Sequence, residues 1–482
     1  MSNVLNTEYV FPTADLLNGH PPKSAYTLEE ATEIANKIIE EMAKNGLTVA
    51  LAENGIAVGS SITKYDFIPD SVESVKMQIA CLEQVAELIT SRPVRATLNT
   101  VDCAITAEIP NAIASVVSFK ELVQSENFKN SESNTAVCIG RTAEGETVVA
   151  DIANMPHALI AGNTRSGKSV SVSAMLLSLI WRSSPEQIKL ILMDPKRVEF
   201  TVYKDLPHLA MPIVEDTKTA IDALNWVVEE MNRRYQLLED NRVRNLSEYA
   251  KKTESVADAE KLPNIIIMID ELAEYMMTDA ASIEPLICTV TAKGRAVGVH
   301  LIAATQRPSK DVVTGIIKSN IPTKIAMRVA AKTDAITVGA EGADKLVGNG
   351  DMLYVAPGAH PLRVHGAFVS GEEIKRTVQF VTEKNGTASY DQQIVSRLDA
   401  VKTAKTPKNS DDPLFREAVK LAVENQKATT SMLQRYLNIG YARAAKIIDC
   451  MLENGIIERG SEDQPLLYKT VMTAEQMAEW LK

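Results

Sequence analysis

Eight residues in the first half of the chain have the types and the spacing of a phosphate-binding loop. The run Gly162–Ser169 matches the pattern GxxxxGK[ST] and stands between an apolar run, Ala158–Ala161, and an apolar pattern at helical spacing. In a strand–loop–helix of this kind the backbone N–H groups bind the β- and γ-phosphates of a nucleotide, Lys168 adds a positive charge, and the Ser169 hydroxyl reaches Mg²⁺. The predicted phosphate-site residues are Gly162, Asn163, Thr164, Arg165, Ser166, Gly167, Lys168, Ser169 and Val170.

Two carboxylates at the end of another apolar run supply the chemistry that such a site needs. Asp270 and Glu271 follow the run Asn264–Ile269, which predicts a buried strand. Asp270 is placed to hold the metal through water, and Glu271 to orient or deprotonate the attacking water. The alternative is that the aspartate caps the next helix, and the phosphate loop disfavours it.

A further apolar run ends in polar residues that could sense the γ-phosphate. Thr305 and Gln306 follow the run Leu301–Ala304, and we choose Gln306 for this role, with Thr305 close behind. Arg295, which precedes the strand, could reach across a subunit boundary as an arginine finger. A solvated surface charge is its alternative role.

Positive charge is concentrated in one segment of an acidic chain. The net charge is −11, which by itself disfavours nucleic acid as a partner because phosphate binding depends on Lys and Arg. Residues 293–333, however, contain eight basic residues and one acidic residue, a net charge of +7. This segregation indicates a path for a polyanion, and the lack of aromatic residues there favours the backbone of a duplex. A solvated basic face is the alternative.

A second basic patch lies near the C-terminal end. Residues 425–448 include Arg443 and Lys446 among four basic residues and no acidic one. Residues 429–438 predict a helix, residues 439–440 a turn, and residues 441–453 a second helix. This spacing is typical of a helix-turn-helix whose second helix enters the major groove, with Arg443 and Lys446 as DNA contacts. A protein-interaction module is the alternative.

The order of the elements predicts an α/β fold in several domains. Apolar runs separated by helical patterns between residues 135 and 383 predict a mostly parallel sheet. A capping box, Thr27–Glu30, opens a small α+β domain before it, and helical patterns with a strand pair after it outline a winged helix. We place the α+β domain at residues 1–115, the central sheet at 116–383, a polar linker at 384–412 and the winged helix at 413–482.

The composition excludes several classes of protein. The 482 residues are 45% hydrophobic and 23% charged, unlike disordered, collagen-like or disulfide-scaffold sequences. No apolar run approaches the roughly 18–20 residues that span a bilayer, and the first residues do not have the pattern of a signal peptide. The five cysteines form no CxxC pair and predict reduced thiols and no metal cage. We therefore expect a cytoplasmic protein with no membrane span.

Taken together, these runs resemble the FtsK/SpoIIIE family of double-stranded DNA translocases over nearly the whole chain. The most specific part of the resemblance is the run Thr305–Ser309 followed by Gly315–Pro322, since phosphate loops occur in many folds. Further similar runs are Ala161–Ser169, Met193–Lys196, Leu206–Leu209, Glu230–Tyr235 and Val364–Val369.

The resemblance implies a RecA-like P-loop motor that hydrolyses ATP with Mg²⁺ as a homo-hexameric ring around duplex DNA. It also implies a small ring domain before the motor and, after it, a winged helix that guides loading or direction. By position, Arg295 is similar to the family's trans-acting arginine finger, and Arg307 and Lys318 are similar to residues that line the DNA channel. Asp194 and Lys196 resemble residues beside the nucleotide, and their individual roles stay open. A recombinase or a DNA-transfer complex is a candidate partner.

Three departures from the family pattern leave other functions open. Arg165 stands where the loop usually has glycine, Ala442 stands where the reading helix usually has a polar residue, and the family's membrane anchor has no counterpart in this sequence. One rival is a coupling or packaging ATPase of a mobile element, and another is a DNA-binding scaffold with a silent motor. A protein-secretion ATPase is the third.

Overall fold

The chain folds into two compact units that divide between Leu398 and Asp399. The computed structural model describes residues 9–19, 27–70, 75–100, 102–256, 259–403, 412–459 and 468–473. The first unit contains two sheets with their helices, and the second contains one small sheet. Each of the two smaller sheets packs its apolar side chains into one core. The largest sheet has a core on each of its faces.

An antiparallel sheet of four strands, with two helices, opens the first unit. Its elements are α1 (Leu28–Lys44), β1 (Val49–Val58), β2 (Ile62–Pro69), α2 (Val75–Thr90), β3 (Arg95–Asn99) and β4 (Ala104–Pro110). The strand order is β1-β2-β4-β3. Both helices contribute to the core of the sheet, where Ile38 and Leu82 pack with Phe67. The capping box that was predicted at Thr27 and Glu30 begins α1, and this region is the predicted α+β fold.

A sheet of nine strands, flanked by helices, forms the rest of the first unit. Its strand order is β6-β5-β13-β12-β11-β7-β10-β9-β8. The elements are α3 (Phe119–Val123), α4 (Glu126–Lys129), β5 (Ala136–Arg141), β6 (Thr147–Asp151), β7 (His157–Ala161), α5 (Lys168–Arg182), β8 (Ile188–Met193), α6 (Thr217–Asp240), α7 (Leu246–Thr253), β9 (Asn264–Ile269), α8 (Leu272–Lys293), β10 (Val299–Thr305), α9 (Gly315–Asn320), β11 (Thr323–Met327), α10 (Lys332–Val338), β12 (Asp351–Val355), β13 (Leu362–Gly366), α11 (Gly371–Asn385) and α12 (Gln392–Thr403).

The strands that carry the predicted chemistry run parallel. β11, β7, β10, β9 and β8 are neighbours in that order, and all four of their pairings are parallel. Each was predicted from a continuous apolar run, which fits a strand that is covered on both faces. Because parallel strands end at the same edge of a sheet, the segments that follow β7, β8, β9 and β10 meet there.

The prediction of a mostly parallel sheet is wrong for the other side of the sheet. β12, β13, β5 and β6 pair antiparallel, so the sheet is mixed. These strands are short, and β13 contains the polar residues Arg363 and His365 inside the sheet. Their burial depends on partners far away in the chain, and no local apolar run therefore marks the strand.

The middle of the predicted linker, from Gln392 to Thr403, is the helix α12, and its residues up to Leu398 belong to the first unit. Ile394 and Leu398 of α12 are buried in the core beneath it. Arg397, between them, pairs with Asp222 at 2.8 Å and with Glu229 at 2.6 Å, both on α6. Two apolar residues four positions apart are enough to seat one helix face, although the surrounding composition is polar. Residues 404–411 of the predicted linker lie outside the described residues.

The second unit has the predicted winged-helix fold. Its sheet order is β14-β16-β15, and the helices between residues 415 and 453 enclose a core that includes Phe415, Leu433 and Ile447. The elements are α13 (Phe415–Glu424), β14 (Lys427–Ala428), α14 (Thr430–Leu437), α15 (Tyr441–Glu453), β15 (Ile457–Arg459) and β16 (Tyr468–Thr470). Both predicted helices of the helix-turn-helix are present, as α14 and α15.

Buried charges join the two sheets of the first unit. Arg363 donates from Nε and Nη2 to the two carboxylate oxygens of Asp351, at 3.0 and 2.7 Å, and from Nη1 to Glu108 Oε2 at 3.1 Å. Glu108 lies on β4 of the small sheet and also accepts from Arg95 at 2.9 Å. Burial would lower the pKa of Arg363, but the two carboxylates hold it above its ordinary value.

Replacing Arg363 by methionine is expected to destabilise the first unit by about 3–5 kcal/mol, because two buried carboxylates would lose their counter-charge. Arg197 is the matched control, since its ion pair with Glu215 is largely exposed and Arg197→Met should change stability by about 1 kcal/mol or less. Urea unfolding followed by circular dichroism measures both. An Arg363→Met protein as stable as the parent would show that the network does not hold the sheets together.

Candidate nucleotide site

The phosphate loop lies where the sequence placed it, between β7 and α5. Its first residues are fixed by the neighbouring strands, since Gly162 N donates to Thr305 O at 3.2 Å and Asn163 N donates to Arg328 O at 2.9 Å. Helix α5 begins at Lys168, directly after Gly167. The first N–H groups of a helix have no partner within the helix, so this end of α5 is suited to bind an anion.

A second loop, at Asn349 and Gly350, contacts the phosphate loop, and the sequence analysis did not predict it. Gly350 N donates to Ser166 O at 2.8 Å, and Asn349 N donates to Arg165 O at 3.3 Å. Gly167 has a φ of 103°, and a Cβ added to it would lie 2.6 Å from Gly350 N. The two loops therefore touch through glycines, about 180 residues apart in the chain, and no local pattern predicts that contact.

The residue Arg165 adopts a backbone conformation that explains the glycine usual at this place in the family. Its φ is 66°, in the left-handed region that side chains with a Cβ disfavour. Its side chain is exposed. The departure from the family pattern thus strains the loop locally and leaves Lys168 and Ser169 in place.

Lys168 and Asp270 form a buried ion pair at the centre of the site. Lys168 Nζ lies 2.9 Å from Asp270 Oδ1 and 2.6 Å from the carbonyl oxygen of the same residue. Both side chains are almost fully buried. The N-cap residue of α8 is Glu271 and not Asp270, so the structure does not support the alternative role considered for Asp270.

Glu271 is held by donors from two other strand ends. Its Oε1 accepts from Thr305 Oγ1 at 2.8 Å and from Gln306 N at 3.1 Å. Its Oε2 accepts from Lys196 Nζ at 3.0 Å. The carboxylate is thus fixed in orientation although it is buried. Lys196, whose role the sequence left open, is the cation that balances its charge.

Gln306 and Ser169 complete the part of the site that one chain provides. Thr164 Oγ1 donates to Gln306 Oε1 at 3.2 Å, which links the end of β10 to the phosphate loop. Ser169 Oγ donates to Glu199 Oε1 at 2.8 Å. Sequence reasoning missed Glu199, although it follows shortly after the Met193–Lys196 run that the resemblance had singled out.

Arg295 does not join this site within its own chain. It is exposed and lies before β10, at the amino end of the strand, where it lines a cavity of about 1150 Å³ with Tyr235 and Arg244. The phosphate loop follows the carboxyl end of β7, the parallel neighbour of β10. Seven residues of strand at roughly 3.3 Å each place these two edges about 20 Å apart.

The basic segment 293–333 does not form one continuous surface. Lys293 and Arg295 belong to the amino edge of β10, whereas the exposed Arg307 follows its carboxyl end. Lys324 is buried, and burial together with the Lys318 charge lowers its pKa to about 8. Lys318 Nζ donates to the Ile336 carbonyl at 2.6 Å. The net charge of the segment therefore overstates the charge available to a polyanion.

The second helix of the winged helix has a clear exposed face. Ala444, Ile447 and Ile448 are buried, while Arg443 and Lys446 are exposed. Arg443 also pairs with Asp412, with Nε 2.6 Å from Oδ2. The two predicted DNA contacts therefore lie one helical turn apart on the same side of α15.

Within the described ranges, no helix is long and apolar enough to cross a bilayer.

A phosphate loop between strand and helix, with an acidic pair after a neighbouring parallel strand, is the arrangement of a P-loop fold with a candidate nucleotide-binding site. Residues 118–310 match the model of the FtsK/SpoIIIE family, and residues 409–465 match the Ftsk gamma domain. Both matches confirm the resemblance to the FtsK/SpoIIIE family that was inferred from the sequence.

Relatives and a solved structure agree with this assignment. The chain is 40% identical to the DNA translocase FtsK of Clostridium tetani over 95% of this chain and 62% of that protein. It is 37% identical to the DNA translocase FtsK of Bacillus cereus over 98% of this chain and 60% of that protein. Its fold is similar to the cytoplasmic domain of the Thermomonospora curvata Type VII secretion ATPase EccC, with a TM-score of 0.50 and 23% identity over 58% of this chain and 36% of that one. The chain spans less than two thirds of the length of these curated relatives.

Gly167→Ala is expected to weaken nucleotide binding by about tenfold or more, because the added Cβ would force the phosphate loop away from Gly350. A tenfold loss of affinity corresponds to about 1.4 kcal/mol of binding free energy. Gly145 is the matched control, since its φ is 88° and nothing lies within 4 Å of an added Cβ. Binding of a fluorescent nucleotide at equilibrium measures both variants. Equal affinity in the two would show that the contact with Gly350 does not shape the loop.

Proposed function

We propose that this protein is an ATP-driven motor that translocates along double-stranded DNA. The observation that carries the proposal is the convergence of Lys168, Asp270 and Glu271 at one edge of the sheet, in a chain that also has an Ftsk gamma domain. The names of its relatives, DNA translocases, support the same activity. A cytoplasmic location fits a partner such as chromosomal or plasmid DNA.

The phosphates of ATP would bind at the start of α5. The N–H groups of the loop and the Lys168 ammonium lie at that position, and Asp270 holds the ammonium in place through a contact of 2.9 Å. Gln306 would sense the γ-phosphate, because its side chain already contacts Thr164 of the loop. A movement of the phosphate loop on nucleotide binding would thereby be passed to the end of β10.

The residues at this edge fit Mg²⁺, which prefers hard oxygen ligands. Ser169 and Asp270 would hold it, since the hydroxyl stands at the first turn of α5 and one Asp270 oxygen, Oδ2, remains beside the one that bonds Lys168. When bound, the metal supplies neutralisation of the phosphate charge.

Glu271 would orient the attacking water and accept its proton. Three donors fix the carboxylate, so it needs little reorganisation before it acts. Lys196 balances the charge of Glu271 until the proton arrives. Removal of the carboxylate charge would therefore affect turnover more than nucleotide binding.

A homo-hexameric ring would complete each site with a residue of a neighbouring subunit. Arg295 stands at the edge opposite to its own phosphate loop, so its guanidinium can serve as an arginine finger for the nucleotide of another subunit. Stabilisation of the negative charge that develops on the γ-phosphate would then require residues of both subunits. Assembly thus becomes a condition for hydrolysis.

DNA would be contacted by Arg307 and Lys318 in the motor and by Arg443 and Lys446 in the winged helix. Phosphate contacts carry no sequence information, so the motor would run on any duplex. The exposed face of α15 would guide loading or direction. Ala442 offers a methyl group on that face where the family usually has a polar residue, and its sequence preference should differ accordingly. A recombinase or a DNA-transfer complex is the further partner that we propose.

ATP hydrolysis at a fixed, modest salt concentration, with and without linear duplex DNA, tests the proposal. Duplex should stimulate the parent, and Glu271→Gln should lower turnover by about 10²-fold or more, the usual contribution of general base catalysis, while nucleotide binding persists. Glu274→Gln, in the first turn of the same helix, is the matched control. If the parent binds DNA and hydrolyses nothing, the silent scaffold is favoured and Arg165→Gly is the reversion to examine.

Replacing Arg443 and Lys446 together by alanine should reduce the slope of log affinity for duplex against log salt by about 2, since each phosphate contact contributes about 1. Lys420→Ala, an exposed lysine on α13, should leave the slope unchanged. Fluorescence anisotropy across a salt series measures all three proteins. An unchanged slope in the double variant would remove α15 from the DNA interface.

A further inference from the structure

The segment Asp194–Phe200, which we call the β8 loop, is held rigidly against the nucleotide site. Asp194 ends at the carboxyl edge of β8 and is fully buried. Its two carboxylate oxygens accept from Lys196 N at 3.2 Å and from Phe200 N at 2.9 Å. Phe200 is buried as well and packs edge-on against Tyr203. One side chain therefore closes the loop at both ends.

The β8 loop turns two of its side chains toward the site and two away from it. Lys196 Nζ reaches Glu271 Oε2 at 3.0 Å, and Glu199 Oε1 accepts from Ser169 Oγ at 2.8 Å. Between them, Arg197 pairs with Glu215, and Val198 is exposed. The inward residues thus contact the two groups that the proposed function assigns to the water and to the metal.

The contact between Glu199 and Ser169 matters because of how a hydroxyl binds a metal. A serine hydroxyl has one hydrogen and two lone pairs, and a metal ligand must present a lone pair. A hydrogen bond donated to a carboxylate turns the hydrogen away from the metal and makes the oxygen more basic. Among the described residues, the Ser169 hydroxyl donates to Glu199 and not to Asp270, whose Oδ1 accepts from Lys168. Glu199 is the acceptor that the hydroxyl has.

We infer that Glu199 is a positioning residue for Mg²⁺: it holds the Ser169 hydroxyl with a lone pair directed at the metal of the bound nucleotide. The inference rests on the proposed ATPase function. It assigns to the β8 loop one task beyond balancing Glu271, namely to set how much the metal adds to nucleotide affinity. Phosphate binding without the metal uses Lys168 and the loop amides, which Glu199 does not touch.

The test is the affinity for ATPγS, measured by isothermal titration calorimetry in magnesium and again in EDTA. The ratio of the two affinities is the gain due to the metal. Glu199→Ala should reduce that gain by about 10–100-fold, the usual effect of losing a group that orients a metal ligand, and leave the affinity in EDTA within about twofold. Glu199→Gln keeps an acceptor oxygen and should retain most of the gain. Arg197→Ala, in the same loop, is the control and should behave as the parent.

A double variant separates positioning from direct ligation. If Glu199 acts through the hydroxyl, Ser169→Ala combined with Glu199→Ala should lose no more of the gain than Ser169→Ala alone. An additive further loss would mean that Glu199 meets the metal itself and would overturn the inference, as would a full gain in Glu199→Ala or a loss in Glu199→Gln equal to that in Glu199→Ala. Failure of the parent to bind ATPγS in either buffer would instead overturn the proposed function, and the inference with it. Circular dichroism melts confirm that each variant is folded.

Discussion

The site depends on the shared direction and register of three neighbouring strands. β7, β10 and β9 pair in parallel, with Thr305 opposite Ala161 and Ala303 opposite Ile269. The phosphate loop, the polar end of β10 and the acidic pair therefore emerge at one edge, and Lys168 can reach its buried counter-charge, Asp270. Either charge alone would be strongly destabilising at that depth. The ion pair and the packing of the apolar strands thus favour the same register. The packing of the core therefore determines the geometry of the site.

The same constraint extends to the small sheet through one short segment. Gly350 packs on Gly167 of the phosphate loop, and the next residue, Asp351, begins β12 and binds Arg363 through both carboxylate oxygens. Arg363 continues to Glu108 on β4. Any movement of the phosphate loop relative to the small sheet must therefore bend the chain near Gly350 or separate buried charges. Bending near Gly350 costs far less free energy than separating the charges, because Gly348 and Gly350 both have positive φ and no side chain to displace.

The parts of this architecture that are encoded locally could be predicted from sequence, and the parts that rest on distant partners could not. The parallel strands appear as apolar runs. Asp270 and Glu271 stand directly after β9, and Lys168 ends the loop that follows β7. β13 was missed because its buried Arg363 and half-buried His365 look like surface residues until Glu108 and Ser61, more than 250 positions away, are known to face them. Glu199 and Gly350 were missed for the same reason. The helix α12 was missed because only Ile394 and Leu398 mark its buried face.

Thr305 connects the proposed DNA contact with the proposed chemistry inside one chain. Its hydroxyl donates to Glu271 Oε1 at 2.8 Å and accepts from Arg307 N at 3.1 Å. Because one oxygen serves both bonds, a shift of the backbone at Arg307 would move the hydroxyl relative to Glu271, the carboxylate that the proposed function assigns to the water. Arg295 has no comparable path to its own site, since it is about 20 Å away and an exposed charge is screened over about 8–10 Å. Under the proposed function, coupling of DNA to hydrolysis would therefore run within each subunit, whereas Arg295 would act only on the site of a neighbouring subunit.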